Sequence, residues 1–265
     1  MGSPPATIAH VDAGGRLIVR VPVAPLHGEP RVSSSQVSQR LAGHALTTLG
    51  VDGDWLRVRG EDRYEGWVHR GYIAPSDAAA VDPAPDTRLL SLGCFARAPG
   101  ATGRLLPLGA FLAPGERAES GEAIAQPERA RRFPRERDAI CASAITLFAG
   151  TSYEWGGVTP WGADCSGLVQ SIFWLHGAQL ERDAWQQAVM GRDAGELRDA
   201  QPADLLFFAD APGGRPSHVG IALGGHRMVH LGLGRGGYAI ERLDDDGDDY
   251  VRGLRSRLSS VRRLL

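Results

Sequence analysis

The spacing of apolar residues changes near residue 137, and this change divides the chain into two kinds of structure. Before it, runs such as RLIVRVPV and DWLRVRGEDRYEGWVHRGYI alternate around a glycine-containing turn, which predicts small antiparallel β-barrels. After it, apolar residues recur at helical spacing up to Gly150, and a second helix is expected from Cys165 to a stop at Gly177. From residue 201 onward the period is two, so helices precede strands, which predicts an α+β domain with an antiparallel sheet.

The chain has 265 residues, which is enough for two or three domains. Residues 76–86, SDAAAVDPAPD, are rich in Ala and Pro and show no periodicity, which is typical of a linker. A second β-like segment follows, with TRLLSLGCFARAPG and GRLLPLGAFLAPG. We therefore predict one barrel at residues 1–76, a second barrel at 77–130 and the α+β domain at 131–265.

Charge and hydropathy narrow the range of partners. The 29 basic and 31 acidic residues give a formal charge of -2, so no long-range field recruits nucleic acid or an acidic membrane. No apolar run approaches the roughly 20 residues that a membrane-spanning helix needs. We expect a monomer with no nucleic-acid or membrane partner, no cofactor and no bound metal, acting on a small neutral or zwitterionic substrate.

The expected compartment follows from the first residues and the cysteines. The segment MGSPPATIAH lacks the charged and apolar regions of a secretory signal. The three cysteines are odd in number and far apart, so a disulfide framework is not expected. We expect a reducing, cytoplasmic location; secretion or a periplasmic location is the alternative if a signal peptide has been removed.

Cys165 lies where a loop ends and an apolar helix begins. The unpaired amides and the dipole of a helix N-terminus stabilise a thiolate and lower its pKa, so Cys165 is a candidate nucleophile. The alternative is that it packs in the core, as most free cysteines do. Cys94 and Cys141 stand inside apolar strand and helix patterns, and we expect both to pack.

A nucleophilic cysteine needs a base and a group that orients the base. His218 and His230 lie 12 residues apart on two strands of a predicted hairpin. An odd-numbered loop centred on Gly224 makes cross-strand partners sum to 448 and places the two rings directly opposite, so we predict a three- or five-residue turn with a glycine at positive φ, in a G1-bulge arrangement. The other histidines have no second histidine in a matching strand register. They are His10, His27, His44, His69, His176 and His226. His176, in the last turn of its helix, is expected to interact favourably with the helix dipole.

Three segments together resemble the NlpC-type cysteine peptidases: YEWGGVTPWGADCSGLVQ, PADLLFF and HVGIALGGHRMVH. The resemblance covers residues 137–265, and the N-terminal part is similar, more loosely, to two bacterial SH3-like domains. It implies an α+β fold of the papain-like type, preceded by two small SH3-like β-barrels. It also implies hydrolysis of the bond between γ-D-glutamate and a diamino acid in peptidoglycan stem peptides, so that the partners are peptidoglycan-derived peptides.

The resemblance also implies roles for individual residues. Cys165 attacks, His218 takes its proton and returns it to the leaving amine, and His230 orients His218. The backbone N–H of Cys165 and the hydroxyl of Tyr153, which stands 12 residues before the nucleophile, form the implied oxyanion hole. Each such donor contributes about 3 kcal/mol of transition-state stabilisation.

Substrate selection in this family is implied for residues beside the nucleophile and in the first barrel. Asp164 and Ser166 match positions that hold the D-glutamyl part, although Asp164 also suits a helix cap. Tyr64 matches an aromatic residue that admits only a short peptide with a free N-terminus; its alternative is a barrel core position.

Two positions depart from the family pattern. Gln36 stands at the best match to an acidic residue that pairs with the free amine, and an amide cannot give the same discrimination. Ala184 replaces a common substrate-binding serine, and the neighbouring Asp183 is the residue available to compensate.

The expected function is hydrolysis of free L-Ala-γ-D-Glu-diamino acid peptides in cell-wall recycling, and three other functions are alternatives to it. One is a non-catalytic module that binds cell-wall peptide through its barrels. Another is a thiol acyltransferase on the same fold, which differs only in using an amine instead of water as acceptor. The third is a Cys-His-His zinc site, which lacks a second cysteine at short spacing.

Overall fold

A computed structural model describes residues 14–76 and 88–265 of the chain. His10 and the predicted linker, apart from Ser76, lie outside the described residues. The chain divides into two compact units, the N-terminal unit Met1–Gln126 and the C-terminal unit Pro127–Leu265. None of the described helices is long and apolar enough to cross a membrane.

The first part of the N-terminal unit is a seven-stranded antiparallel sheet in the order β3-β2-β6-β5-β4-β1-β7. Alternate residues of β1, β2, β4, β5 and β6 point inward and close a core of aliphatic side chains that includes Leu26, Leu46 and Val58. The predicted pair of strands in DWLRVRGEDRYEGWVHRGYI is present, with Trp55 opposite His69. The strands are β1 Arg16–Val19, β2 Val23–His27, β3 Gln36–Leu41, β4 Ala45–Asp52, β5 Trp55–Arg59, β6 Glu65–His69 and β7 Ile73–Pro75.

The second part of the N-terminal unit is a three-stranded antiparallel sheet in the order β10-β8-β9. It comprises β8 Leu89–Arg97, β9 Arg104–Phe111 and β10 Arg117–Ala125. His44 joins the two sheets through a 3.0 Å hydrogen bond from Nε2 to the carbonyl oxygen of Gly109, and burial lowers the His44 pKa to about 4. The predicted domain boundaries at residues 76 and 130 stay predictions.

The C-terminal unit begins with helices, as the spacing of its apolar residues predicts. They are α1 Gln126–Arg132, α2 Arg137–Leu147, α3 Cys165–Leu175, α4 Ala184–Gln187 and, near the end of the chain, α5 Asp249–Ser256. The apolar side of α3 is buried at every position that the helical spacing selects: Leu168, Val169, Ile172, Phe173 and Leu175. This helix ends at Leu175, and Gly177 follows it with φ of +76°.

The helices of the C-terminal unit are followed by a six-stranded antiparallel sheet in the order β13-β18-β14-β15-β16-β17. Its strands are β13 Arg192–Asp193, β14 Leu205–Ala209, β15 Pro216–Gly224, β16 Arg227–Gly232, β17 Gly237–Arg242 and β18 Leu258–Arg263. A small ribbon of β11 Val158–Thr159 and β12 Gly162–Ala163 precedes α3. Helix α3 packs against β15 and β16 of the sheet, which brings the predicted nucleophile to the strands that carry the two histidines.

The hairpin of β15 and β16 differs from the predicted three- or five-residue turn. Its turn has two residues, Gly225 and His226, both at positive φ, and a bulge at Leu223 lies beside it. Ile221 pairs with Val229, so partners sum to 450 instead of 448. The sum is still even, which keeps His218 and His230 on one face of the sheet, but they are diagonal neighbours and not directly opposite.

Candidate active site

The first turn of α3 is fixed by the residue before the nucleophile. Asp164 is the N-cap, and its Oδ1 accepts a 2.7 Å hydrogen bond from the backbone N–H of Gly167. A Cβ on Gly167 would lie 2.0 Å from the carbonyl oxygen of Gly157, so only glycine allows this close approach. The segment DCSG thus places Cys165 at the first position of a helix that packs tightly on the preceding loop.

Cys165 is buried, and the electrostatics of its thiol differ from the sequence prediction. Burial raises the pKa of Cys165 to about 12, and the charge of Asp164 acts in the same direction. Hydrogen bonds from the backbone of Val219 and Ser166 oppose this pKa shift without reversing it. The prediction that the helix N-terminus lowers the pKa was wrong, because helix amides are outweighed once the sulfur loses water.

The structure brings the two predicted histidines into direct contact. Nε2 of His218 lies 2.7 Å from Nδ1 of His230, and the ring planes are nearly perpendicular at 79°. Val219, whose backbone contacts Cys165, directly follows His218 on β15, so the sulfur and the imidazole pair lie on adjoining elements. Since Nε2 of His218 is engaged by His230, Nδ1 is the atom left to act as a base.

His218 and Cys165 are both neutral in the resting site. Loss of solvent around the ring lowers the pKa of His218 to about 3, and the charge of Arg257 acts in the same direction. With the thiol pKa near 12, neither group is ionised at neutral pH. The resting site therefore holds a neutral thiol rather than a stored thiolate.

Two tyrosines lie near the sulfur. Burial raises the pKa of Tyr153, and its electrostatic interactions with Cys165 and Asp164 contribute to this shift, so the phenol stays protonated and able to donate. Burial likewise raises the pKa of Tyr250, and the Tyr250 side chain also interacts electrostatically with Cys165. Tyr250 has no counterpart among the residues selected from the sequence. The roles predicted for Cys165, His218, His230 and Tyr153 stay predictions.

Asp164 and Ser166 form a buried network with Arg182. The Arg182 guanidinium, 1% exposed, donates to Oδ2 of Asp164 at 2.7 Å, to Oδ1 at 3.0 Å and to the Ser166 hydroxyl at 2.8 Å. Oδ2 of Asp164 also accepts from the backbone N–H of Gly156 at 2.8 Å. The Asp164 carboxylate already accepts hydrogen bonds from several protein groups, which favours its capping role over a direct contact with substrate.

The segment after Arg182 supports this network from α4. Asp183 precedes the helix; its backbone N–H donates to Oε1 of Gln186 at 3.0 Å, and its carboxylate accepts from the indole N–H of Trp185 at 3.1 Å. Ala184 is buried as the first residue of the helix. Gln187 is completely buried and donates to the carbonyl oxygen of Ser166 at 3.1 Å, tying α4 to the first turn of α3.

The two predicted selectivity residues of the first barrel belong to the N-terminal unit. Tyr64 is half-buried in the turn between β5 and β6, where its backbone N–H donates to Asp62 at 3.1 Å. Gln36 is half-buried at the first position of β3, opposite His27. Their contributions to selectivity stay predictions.

Sequence reasoning missed Arg182, Glu241 and the burial of His176. Arg182 stands in the segment ERDAWQQ, residues 181–187, where a charged residue gives no sign of burial. The predicted interaction of His176 with the helix dipole is not what the structure shows. Nδ1 of His176 lies 2.6 Å from the Pro134 carbonyl oxygen and Nε2 lies 2.9 Å from the Ser143 hydroxyl. Burial lowers the pKa of the His176 imidazole. An imidazole held in this way is neutral.

The other two cysteines are buried and free, as predicted for Cys94 and Cys141. Burial raises the pKa of Cys141, whose thiol contacts the carbonyl oxygen of Ala222 at 3.5 Å. Within residues 14–76 and 88–265, no three side chains of His, Cys, Asp or Glu are arranged to hold a metal ion.

Comparison with known proteins assigns both halves of the chain. Residues 150–248 match the NlpC/P60 family, and residues 22–74 match the bacterial SH3 domain. The chain is 40% identical over 111 residues to the gamma-D-glutamyl-L-lysine dipeptidyl-peptidase of Bacillus subtilis (strain 168), an alignment that covers 37% of this chain and 37% of that protein. It is 28% identical over 277 residues to dipeptidyl-peptidase 6 of Lysinibacillus sphaericus, covering 93% of this chain and 98% of that protein.

Solved structures agree on the fold. An NlpC/P60 family protein from Bacillus cereus superposes with a TM-score of 0.78 at 18% identity, over 94% of this chain and 99% of that one. An NlpC/P60 endopeptidase from Photobacterium damselae subsp. piscicida gives 0.67 at 17% identity, over 93% of this chain and 70% of that one.

A cysteine that opens a helix, with its histidine on the facing antiparallel sheet, defines the C-terminal unit as a papain-like cysteine peptidase domain. The chain contains an NlpC/P60 domain at residues 150–248, in the C-terminal unit, and a bacterial SH3 domain at residues 22–74, in the N-terminal unit. The predicted α+β class, with SH3-like sheets at the N-terminus, is confirmed.

Proposed function

We propose that this protein hydrolyses the γ-D-glutamyl–diamino acid bond of peptidoglycan stem peptides, with free L-Ala-γ-D-Glu-diamino acid fragments as its substrates. The observation that carries the proposal is the 2.7 Å contact of His218 with His230 on the strand that faces the buried thiol of Cys165. The name of the Bacillus subtilis relative, which specifies a γ-D-glutamyl-L-lysine bond, supports the substrate class.

Attack begins with two neutral partners. The Cys165 sulfur forms a bond to the γ-carbonyl carbon while its proton passes to Nδ1 of His218, and the carbonyl π electrons move to the oxygen. The backbone N–H of Cys165 and the phenol of Tyr153 donate to this oxyanion, and the raised pKa of Tyr153 keeps the phenolic proton available.

Collapse of the tetrahedral intermediate breaks the carbon–nitrogen bond. The His218 imidazolium gives its proton to the leaving α-amine of the diamino acid, and a thioester on Cys165 remains. Water, deprotonated by the same imidazole, then attacks the thioester, releases L-Ala-D-Glu and restores the thiol. An amine in place of water would give acyl transfer, so the acceptor is part of the proposal.

The proposal is tested with one pair of substrates, the free tripeptide L-Ala-γ-D-Glu-L-Lys and intact peptidoglycan. Products of the wild type, Cys165→Ala and Cys141→Ala are read by mass. We expect the dipeptide and lysine from the tripeptide with wild type and Cys141→Ala, which loses a buried thiol of the same unit, and no product with Cys165→Ala. Cleavage by Cys165→Ala would exclude the nucleophile, and activity on the polymer alone would exclude free peptides as substrates.

The proposed setting is the turnover of recycled wall fragments in the cytoplasm. Its support is that Cys94, Cys141 and Cys165 are all buried, free thiols, as suits a reducing compartment. Fractionation of cells with an antibody against the native protein tests this directly. Recovery from the culture medium or the periplasm alone would contradict it.

The proposal for amine selectivity concerns Gln36. An amide gives less electrostatic discrimination than a carboxylate, so we expect the wild type to cleave free and N-acetylated tripeptides at rates closer to each other than Gln36→Glu does. Equal preference in the two proteins would remove Gln36 from substrate selection.

A further inference from the structure

Glu241 lies behind the histidine pair, on the strand next to His230. Met228 pairs with Glu241 and His230 pairs with Ala239, so Glu241 and His230 are diagonal neighbours on the same face of β16 and β17. Oε1 of Glu241 is 3.5 Å from Nε2 of His230, and both side chains are buried, at 7% and 0% exposure. His230 therefore has His218 at one ring nitrogen and a carboxylate at the other.

The contact between the two imidazoles contains a single proton when both rings are neutral. In one arrangement, His218 donates from Nε2, so His230 carries its own proton on Nε2 and Nδ1 of His218 is a lone pair. In the other, His230 donates from Nδ1, which leaves Nε2 of His230 as a lone pair facing the carboxylate. That second arrangement also puts a proton on Nδ1 of His218, which then cannot accept one from a thiol.

The charge on Glu241 selects between these arrangements. Its carboxylate accepts from Nε of Arg235 at 2.7 Å and from Nη2 of Arg235 at 3.1 Å, which holds it in a fixed orientation. Arg235 is itself held by an ion pair with Asp248 and lies 4.4 Å above the ring of Tyr250. The close contact with His230 lowers the pKa of Glu241 to about 2, with Arg235 contributing and burial opposing, so Glu241 is ionised at neutral pH.

We propose that Glu241 is a positioning residue, which holds the proton of His230 on Nε2 and so leaves Nδ1 of His218 as the base that faces Cys165. Two acceptors cannot face each other without cost, so the carboxylate disfavours the unproductive arrangement. The carboxylate acts through two rings and touches no reacting atom. In a three-residue triad an aspartate orients the histidine that contacts the nucleophile; here Glu241 orients His230, which in turn contacts His218.

The inference is tested without any substrate by ¹⁵N NMR of the histidine rings at neutral pH, where protonated and bare ring nitrogens have distinct shifts. In the wild type we expect Nε2–H and a bare Nδ1 on both His218 and His230. A proton on Nδ1 of either ring in the wild type would overturn the proposal, whatever the variants do. Because this measurement needs no turnover, it stands or falls separately from the proposed peptide substrate.

A variant supplies the second readout. Glu241→Gln keeps the shape but can present either an oxygen or an N–H₂ group, so we expect mixed tautomers and a fall in kcat of at least about 100-fold with KM nearly unchanged. The kcat is measured on L-Ala-γ-D-Glu-L-Lys and therefore rests on the proposed function. A loss of kcat with wild-type tautomers would mean a structural role and would overturn the inference, as would an unchanged kcat.

Asp204 provides the matched control. It is a buried carboxylate of the same unit, held by Arg137 at 3.2 Å and by Arg263 at 2.6 Å, and it precedes β14 at the end away from His218. Asp204→Asn removes the same charge from two arginines and is expected to lower stability while leaving both imidazole tautomers as in the wild type. Tautomers altered equally by Asp204→Asn would show that Glu241 acts through general loosening of the unit, against the proposal.

Discussion

Cys165 and His218 are both neutral, because burial disfavours the charged form of each side chain. Burial raises the pKa of the thiol to about 12 and lowers the pKa of the imidazole to about 3. A site that stored a thiolate–imidazolium pair would have these two pKa values in the opposite order. The resting protonation state is therefore a property of the tertiary structure that the residue types alone do not reveal.

This protonation state predicts the reactivity of Cys165. In a Cys94→Ala/Cys141→Ala protein, we expect alkylation by iodoacetamide to be slow at pH 6 and to rise by about tenfold per pH unit up to pH 9, since only the thiolate reacts. The rate is followed by mass spectrometry. A rate that is already at a plateau from pH 5 to 8 would indicate a stored thiolate, and Cys165→Ser in the same background measures the background labelling.

Arg182 supports the first turn of α3 through its hydrogen bonds to Asp164 and Ser166. Its buried guanidinium compensates the charge of Asp164, which is also buried. We expect Arg182→Met to lower the free energy of unfolding by about 3–5 kcal/mol, because an unpaired carboxylate remains inside. Urea denaturation measures this change, and Arg198→Met, at an arginine that is 74% exposed and pairs with Glu196, is expected to stay within about 0.5 kcal/mol of wild type. Similar losses in both variants would contradict the assigned role.

At the scale of elements, the helix α3 could be read from the sequence, whereas the β15–β16 hairpin could be read only in part. The apolar side of α3 repeats at 3.6 residues, and local spacing sets which residues are buried. The hairpin prediction gave the correct face for His218 and His230 and expected a bulge, but its turn length and register were wrong, because Leu223 carries no local signal that the bulge lies there. Bulges depend on pairing across the sheet, which a single strand does not encode.

Gly232, at the end of β16, tests how closely the elements of the site approach. A Cβ there would lie 2.5 Å from the hydroxyl oxygen of Tyr250 and 2.8 Å from Cε1 of His230. We expect Gly232→Ala to displace the His230 ring and to lower kcat by about 100-fold, since small misplacements of a catalytic array are costly. Steady-state kinetics and circular dichroism together measure the effect on a folded protein.

Gly253, on the exposed side of α5, provides the control for this substitution. A Cβ on Gly253 meets no atom within 4 Å, and alanine favours helix, so Gly253→Ala is expected to keep full activity and to gain up to about 1 kcal/mol of stability. Equal activity in Gly232→Ala and Gly253→Ala would show that the site tolerates a shift of His230.

At the scale of the whole molecule, both units contain a histidine that folding keeps neutral. The pKa is lowered from 6.5 to about 4 for His44 in the N-terminal unit and from 6.5 to about 3 for His218 in the C-terminal unit, in both cases mainly by burial. A lowered pKa means that the unfolded chain binds the proton more readily. The stability from these groups is therefore complete above pH 6.5 and is lost as the pH falls toward the folded-state values.

We expect the free energy of unfolding to fall between pH 6.5 and pH 4.5 by up to about 1.4 kcal/mol per pH unit for each histidine. Below that range, Asp204 and Glu241 add to the loss, because folding lowers the pKa of both carboxyl groups. Urea unfolding at a series of pH values measures the slope. His44→Gln is expected to flatten the slope for the N-terminal unit, and a stability that is constant from pH 7 to pH 5 would exclude this account.

The order of strands and helices along the chain could be predicted from the sequence, whereas the roles of several buried residues could not. Alternating strands before residue 137 and helices after it were visible in the sequence, because each pattern is local. The roles of Arg182, Glu241 and Tyr250 were not visible, because each depends on a partner that is 6 to 20 residues away or on another element. Local spacing predicts which side chains are buried, while pairing of charges inside a unit requires its tertiary structure.

The bulge at Leu223 also has a consequence for how this hairpin can change in length during evolution. Side chains alternate between the faces of a sheet, so a single-residue insertion or deletion between the two histidines would send one imidazole to the far side. Two residues added or removed together would restore the shared face. Homologous hairpins that keep both rings in contact should therefore differ in length by even numbers, or else carry a bulge that absorbs the odd residue, as Leu223 does here.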